Sequence, residues 1–472
     1  MERSVIVVGA GITGLACALH LQRLGIPVKV LEASDSPGGM IATFERNGFL
    51  IETGPQYPRF ARPLWDLARD VGLDSEFVRG SSSAQRFILK NGRLHQAPLS
   101  PGSFLSTQLI GPSSKYRILT EAVRRSRPPA DEESLSEFVR RKFDDEVLQY
   151  LVDPFVSAIY AGDTEKIGVE SAFPFLSRWE RERGSILRGA IQSRKSRTTS
   201  RSNASRAADG KNRTAVTDFL PRMGSFRTGL AALPNAIAAK LGGSISFRAK
   251  AESIEPTATT GNSDRGWLVR LNDGEELSGS AVVVAAPAYE AARLLQRIAP
   301  KISEMLAGVT YAPMAVVASG YTRAQVRNSL HGFGLMIPRR EALNTFFNVW
   351  NSSMFSGRAP EGKVLMTSFA GGATNPAIVE HEETAIAQVV ERELAEILGI
   401  DGPPVERFVW KHQKALPQFN VGHARRTRSI RQAQAALPGL YLAGNYLQGR
   451  SLGECAELGS QTADEIQRRF RG

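Results

Sequence analysis

Three glycines and one acid near the start of the chain have the types and spacing to hold a dinucleotide. They are the glycines of Gly9-Ala10-Gly11-Ile12-Thr13-Gly14 and, eighteen residues past the last of them, Glu32. In such a loop the first glycine allows a tight turn, the second lets the backbone approach a pyrophosphate, and the third lets the next helix pack on the preceding strand. The helix start supplies free N–H groups and partial positive charge for the phosphates. Glu32 would accept from a ribose hydroxyl, and its charge would repel the extra phosphate of NADP, which leaves FAD and NAD.

Such residues work only if regular elements hold them. An apolar β-branched run, Val5 to Val8, precedes the loop, a helical pattern follows it to Gly25, and a second run from Val28 to Leu31 ends in Glu32. Strand, loop, helix, strand and acid therefore come in the order of a βαβ unit. The pairs Gly38-Gly39 and Gly54-Pro55 allow two more close backbone approaches. Residues 63–71 read as a helix, and Arg86 to His95 as a hairpin turning at Asn91-Gly92. From 101 to 188 the pattern is helical and basic. Regularity resumes near Phe219, with a helix predicted over 228–241 and a strand pair turning at Asn272-Asp273-Gly274.

The continuous apolar run from Ser280 to Pro287 reads as a strand buried on both faces, and so as part of the nucleotide sheet. Residues 289–404 read as an antiparallel sheet with flanking helices, with strands at 315–320 and 364–370, a loop over His331 to Pro338 and a helix over 382–398. The last strand closes on Gly444, and the helix after Ser451 aims its positive end there. The fold class is α/β. A discontinuous Rossmann-like dinucleotide-binding domain (1–85, 215–290 and 405–472) carries an antiparallel-sheet substrate domain (86–100 and 291–404) and a helical insertion (101–214).

Composition bounds the function. The chain has 472 residues, 42% of them apolar and 22% charged, which suits an ordinary globular protein of about three domains. Its two cysteines, Cys17 and Cys455, make no disulfide framework and have no metal-ligand spacing around them. No metal site is expected. The motif begins at Ser4 and no apolar run is long enough to span a membrane, so the chain is expected to stay in the cytoplasm. Net charge is +12, and Arg178 to Arg213 holds eleven Lys or Arg against Glu180, Glu182 and Asp209, eight of the twelve surplus charges. The core of this stretch, residues 192–213, reads as a surface loop. It is either a solvated linker or a docking arm for an anionic membrane face or an acidic partner, each basic residue adding about 1 kcal/mol at such a surface. Nucleic acid is excluded, because no aromatics interleave the charges and no recognition module surrounds them.

Assembled, the chain resembles the amine-oxidase-like FAD enzymes, and within them the protoporphyrinogen/coproporphyrinogen oxidases, nearly end to end. The resemblance rests on the glycine loop, Leu31-Glu-Ala-Ser34 with Gly38-Gly39, Phe49 through Gly54-Pro55, Pro287, Leu416-Pro-Gln-Phe-Asn-Val-Gly-His423, and Gly439-Leu-Tyr-Leu-Ala-Gly-Asn-Tyr446 with Gly449 and Leu452-Gly-Glu-Cys455. It implies FAD as cofactor. Gly9 to Gly14 would hold the pyrophosphate and Glu32 with Ala33 the ribose. Gly39, Met40 and Gly54, Pro55, Gln56 and Tyr57 would lie next to the flavin. Ala251 would meet the adenine, Trp410 would stand beside the cofactor, and Leu442, Ala443 and Gly444 would approach the ring. The implied reaction is six-electron oxidation of a porphyrinogen in haem biosynthesis, on the flavin, with oxygen as acceptor and no catalytic triad. Arg86 is the implied propionate anchor, and Phe333 and Leu335 the implied walls for the macrocycle. His423, His95 and Cys455 read as structural. Neighbouring haem-pathway enzymes and a monomer or homodimer complete the implied partners.

Two features depart from the family pattern. Met223-Gly224-Ser225 stands where a Gly-Gly pair is common, and Arg450 stands where an aliphatic residue is usual. The alternatives are a flavin amine oxidase, against which Asn445-Tyr446 argues, a carotenoid-desaturase-like enzyme, and an FAD-fold binding protein without catalysis, against which the intact glycines and Glu32 argue.

Overall fold

In a computed structural model the chain is described over residues 3–81, 85–124, 128–193, 222–257, 266–449 and 451–471. The basic stretch from 194 onward and Arg450 lie outside the described residues. A five-stranded parallel sheet runs in the order Ile245–Ser246, Val28–Leu31, Val5–Val8, Ala281–Val284, Leu440–Leu442. Three distant stretches of chain thus meet in one sheet. The all-apolar strand Ala281–Val284 is fully buried, as a central parallel strand covered on both faces must be. Val5, Val7 and Val283 point to one face, where the helices Ile12–Arg23 and Leu452–Arg471 pack; Ile6, Val8, Val282 and Val284 point to the other. The two helices touch through backbone, since a Cβ at Gly459 would lie 2.3 Å from the Thr13 carbonyl.

The second sheet has seven strands, in the order Glu406–Pro417, Tyr311–Thr322, Lys363–Gly371, Thr345–Val349, Gly334–Met336, Arg86–Lys90, Arg93–Gln96. It is antiparallel except where Gly334–Met336 runs parallel to Arg86–Lys90. The stretch His331 to Pro338, expected as a loop, therefore supplies a strand. The predicted hairpin turn forms with Asn91 at φ 53° and Gly92 at φ 72°, both left-handed, as a two-residue turn between twisted strands requires. The helix Glu383–Leu398 packs on one face of this sheet through Ile386, Val390 and Leu394.

The helix predicted from Thr228 begins later, at Ala232. Gly229 sits at φ 91° with Thr43 against it, and that backbone cannot be helical. The helical insertion (Pro101–Ser106, Pro112–Thr120, Leu135–Lys142, Asp153–Tyr160, Pro174–Arg183) has its own apolar core. Lys142, buried within it, pairs with Glu180 at 2.8 Å and Glu121 at 3.4 Å, so the charge inside is compensated. Lys90–Glu146 at 3.3 Å and Arg339–Asp163 at 3.1 Å fasten the insertion to the large sheet. Among the described residues no helix is long and apolar enough to cross a membrane.

Candidate active site

The glycine loop divides its labour physically. Gly9 adopts φ 106°, with the Ala285 carbonyl 3.0 Å from where a Cβ would stand, so the turn admits no side chain. A Cβ on Gly14 would fall 2.0 Å from the Gly9 carbonyl oxygen, so helix and strand meet there. At Gly11 a Cβ would meet nothing within 4 Å, so open space lies over the helix start. Gly38 donates to the Ala10 carbonyl at 2.8 Å and Gly39 stands beside Gly11, completing a cradle walled by backbone. Glu32 is held by Ala10 N at 2.7 Å and by the Ser34 backbone N–H at 2.9 Å and hydroxyl at 2.8 Å. Ala33 beside it is exposed. An open, N–H-lined cradle ending in a fixed carboxylate fits the pyrophosphate and ribose of FAD.

The run after the second glycine approach lies between this cradle and the large sheet. A Cβ at Gly54 would stand 1.9 Å from the Met40 carbonyl oxygen, so the two backbones are in contact. The Gln56 amide donates to the carbonyls of Glu52 at 2.9 Å and Gly54 at 3.0 Å, and His412 Nε2 donates to Thr53 O at 3.0 Å. Burial lowers the pKa of His412. The run ends on Tyr57, whose ring meets Phe333 edge-on at 4.1 Å and Phe347 at 6.2 Å. Burial pushes the Tyr57 phenol up, against the opposing charge of Arg86.

Arg86 and Phe333 come together because Gly334 pairs with Arg86. The Arg86 guanidinium lies 4.7 Å from the Phe333 ring centre and is half-buried, with no carboxylate partner among the described residues. Met40, Tyr57, Phe333, Phe347 and Phe369 form one apolar cluster on this face.

Leu335 does not join them. It is fully buried on the opposite face, packed with Leu89, Val317 and Met366 under the helix Glu383–Leu398. Residues two apart on a strand normally share a face, but Gly334 between Phe333 and Leu335 sits at φ 144° and breaks the alternation. Leu335 supports the wall from behind and is not part of its surface.

The remaining candidates spread around the cradle. Ala251 is buried, and its carbonyl accepts from Arg293 at 2.6 Å. Trp410 is 37% exposed and stacks on Phe44 at 5.0 Å, on the hairpin that leads into Glu52. Leu442 and Ala443 are buried, with Ala443 N bonded to Val284 O at 3.0 Å. Gly444 is glycine because a Cβ would lie 2.1 Å from the Tyr446 ring. His423 is buried and its Nε2 donates to Tyr446 O at 2.7 Å, a structural bond, with burial holding its pKa down. His412, Phe347 and Asn351 carry no motif. The only sequence signal at Phe347 is its place in a short aromatic strand.

Comparison with known proteins agrees with this geometry. Protoporphyrinogen oxidase from Nicotiana tabacum chloroplasts is 34% identical over 98% of this chain and 85% of its own length. Coproporphyrinogen III oxidase from Bacillus subtilis is 28% identical over 98% of both chains. A crystal structure from Exiguobacterium sp. 255-15 superposes with a TM-score of 0.79 at 24% identity over 99% of both chains, a likeness of fold. Residues 12–467 match the flavin-containing amine oxidoreductases as a family, so the chain, whose cradle and carboxylate suit that cofactor, belongs to the flavin-containing amine oxidoreductase family.

Proposed function

We propose that this protein is an FAD-dependent oxidase that converts a porphyrinogen to its porphyrin, with oxygen as the acceptor. The observation that carries the proposal is Arg86, half-buried and, among the described residues, without an acid partner, at the edge of the aromatic cluster of Tyr57, Phe333 and Phe347. An aromatic face edged by such a cation suits a broad apolar ligand with a carboxylate at its edge, because guanidinium binds carboxylate in a planar fork. A cation at the rim would repel an amine. Bound FAD supplies hydride acceptance. The chain supplies the slot, the anchor, and a placement of ligand against the Gly54–Tyr57 run, while the buried aromatics exclude water.

Lys90 is the second cation on the Arg86 face of that strand. It is neutralised by Glu146 and donates to Leu109 O at 2.8 Å. With Lys90 neutralised, Arg86 is left on that strand face as a cation without an acid partner among the described residues, which suits the adjacent propionates of protoporphyrinogen better than the four carboxylates of coproporphyrinogen, and protoporphyrinogen is the substrate we propose. Anaerobic mixing of the purified yellow protein with each porphyrinogen tests this through bleaching of the flavin. Faster bleaching by protoporphyrinogen is expected. Bleaching by neither would end the proposal, and faster bleaching by coproporphyrinogen would reverse the assignment.

The helical insertion supports a further part of this reading, docking on an anionic membrane surface. Tyr116 (69% exposed), Leu119 and Val123 (72% exposed) form an apolar ridge flanked by Lys115, Arg117 and Arg124, the pattern of an interfacial amphipathic face. Co-sedimentation with phosphatidylserine liposomes should fall on Tyr116→Glu with Val123→Glu. Undiminished sedimentation of that variant would remove the ridge from the proposal.

A further inference from the structure

A buried chain of hydrogen bonds links the middle of the large sheet to the run that meets Met40 and Tyr57. Thr367 donates its hydroxyl to Asn351 Oδ1 at 2.8 Å, Asn351 Nδ2 donates to Gln56 Oε1 at 2.7 Å, and Gln56 Nε2 donates to Glu52 O and Gly54 O. All three side chains are at most 5% exposed. Its direction is fixed. The two backbone carbonyls can only accept, so Gln56 must present its NH₂ to them. Its oxygen must then face Asn351, and the oxygen of Asn351 must face a hydroxyl. Reversing any one amide would set two acceptors or two donors against each other in a buried site.

We propose that Asn351 and Thr367 are positioning residues for the oxidation. They fix the one amide orientation of Gln56 that holds Gly54 on Met40 and Tyr57 on Phe333, and so tie the substrate sheet to the flavin-facing run. Thr367 lies on the interior strand Lys363–Gly371, beside the strand that carries Phe347, so the aromatic wall and the flavin-facing run are set from adjacent strands of one sheet. This deepens the proposed function and rests on its placement of residues 54–57 beside the flavin.

The test uses holoenzyme carrying Thr367→Val, which keeps the shape and removes the hydroxyl, with Thr367→Ser as the rescue. Asn351→Asp is the second variant, since it still accepts from Thr367 but, as a carboxylate, cannot donate to Gln56. FAD content should stay near that of the parent. The visible bands of the bound flavin should shift, its reduction potential should move, and kcat should fall on the order of tenfold with KM little changed, as expected when a reacting pair is misplaced without loss of binding. Thr367→Ser should restore all three. Variants that lose only thermal stability, with flavin spectrum, potential and kcat unaltered, would overturn the assignment. Were the parent protein to oxidise neither porphyrinogen, the spectrum and potential would still decide the role of Thr367 and Asn351, separately from the question of substrate.

Discussion

The nucleotide cradle and the aromatic cluster are joined by the Gly54–Tyr57 run, and they are built of opposite materials. The cradle is backbone. Its walls are Gly9, Gly11, Gly14, Gly38 and Gly39, and at Gly9 and Gly14 no side chain fits. The aromatic cluster is side chain. Tyr57, Arg86, Phe333 and Phe347 reach it from four separate stretches of the chain, and nothing in the backbone dictates their identity. A backbone cradle tolerates little change. A side-chain cluster can exchange one residue at a time, and that is where a choice between substrates can be made.

This contrast is sharpest at Gly14. A Cβ there would meet the Gly9 carbonyl oxygen at 2.0 Å, so Gly14→Val forces the helix Ile12–Arg23 off its strand and closes the cradle. Complete loss of bound flavin is expected, read as the ratio of visible to protein absorbance in the purified variant. A yellow Gly14→Val protein with parental stoichiometry would show that the cradle is not backbone-limited.

The same contrast explains what could be read from the sequence. Gly9, Gly11, Gly14 and Glu32 are legible because each is demanded by local geometry within one βαβ unit, and Ala281–Val284 because a strand buried on both faces must be apolar throughout. Phe333 was legible through the family resemblance. Its separation from Leu335 was not, since it depends on the φ of Gly334, and a glycine in a sequence does not announce which conformation it takes. Asn351 and Thr367 were illegible for a different reason. An isolated buried amide and hydroxyl acquire meaning only when a short helix and a strand some three hundred residues from Gln56 fold against it.

Arg86 and Leu335 offer the finer comparison, because they sit on paired strands one register position apart and face opposite sides of the sheet. Arg86→Ala removes a cation that has no acid partner among the described residues, so the fold has little to lose. A charge-assisted bond to a carboxylate contributes about 1.5–3 kcal/mol, so porphyrinogen KM should rise on the order of tens-fold with FAD content and Tm unchanged. Leu335→Ala does the reverse. It opens a void among Leu89, Val317 and Met366, with an expected cost of about 2–5 kcal/mol in urea unfolding, while KM moves little because the Phe333 face is left intact. A Leu335 variant that raised KM at unchanged stability would place that side chain against the substrate after all, and an Arg86 variant that lost stability but bound substrate normally would make the arginine part of the frame.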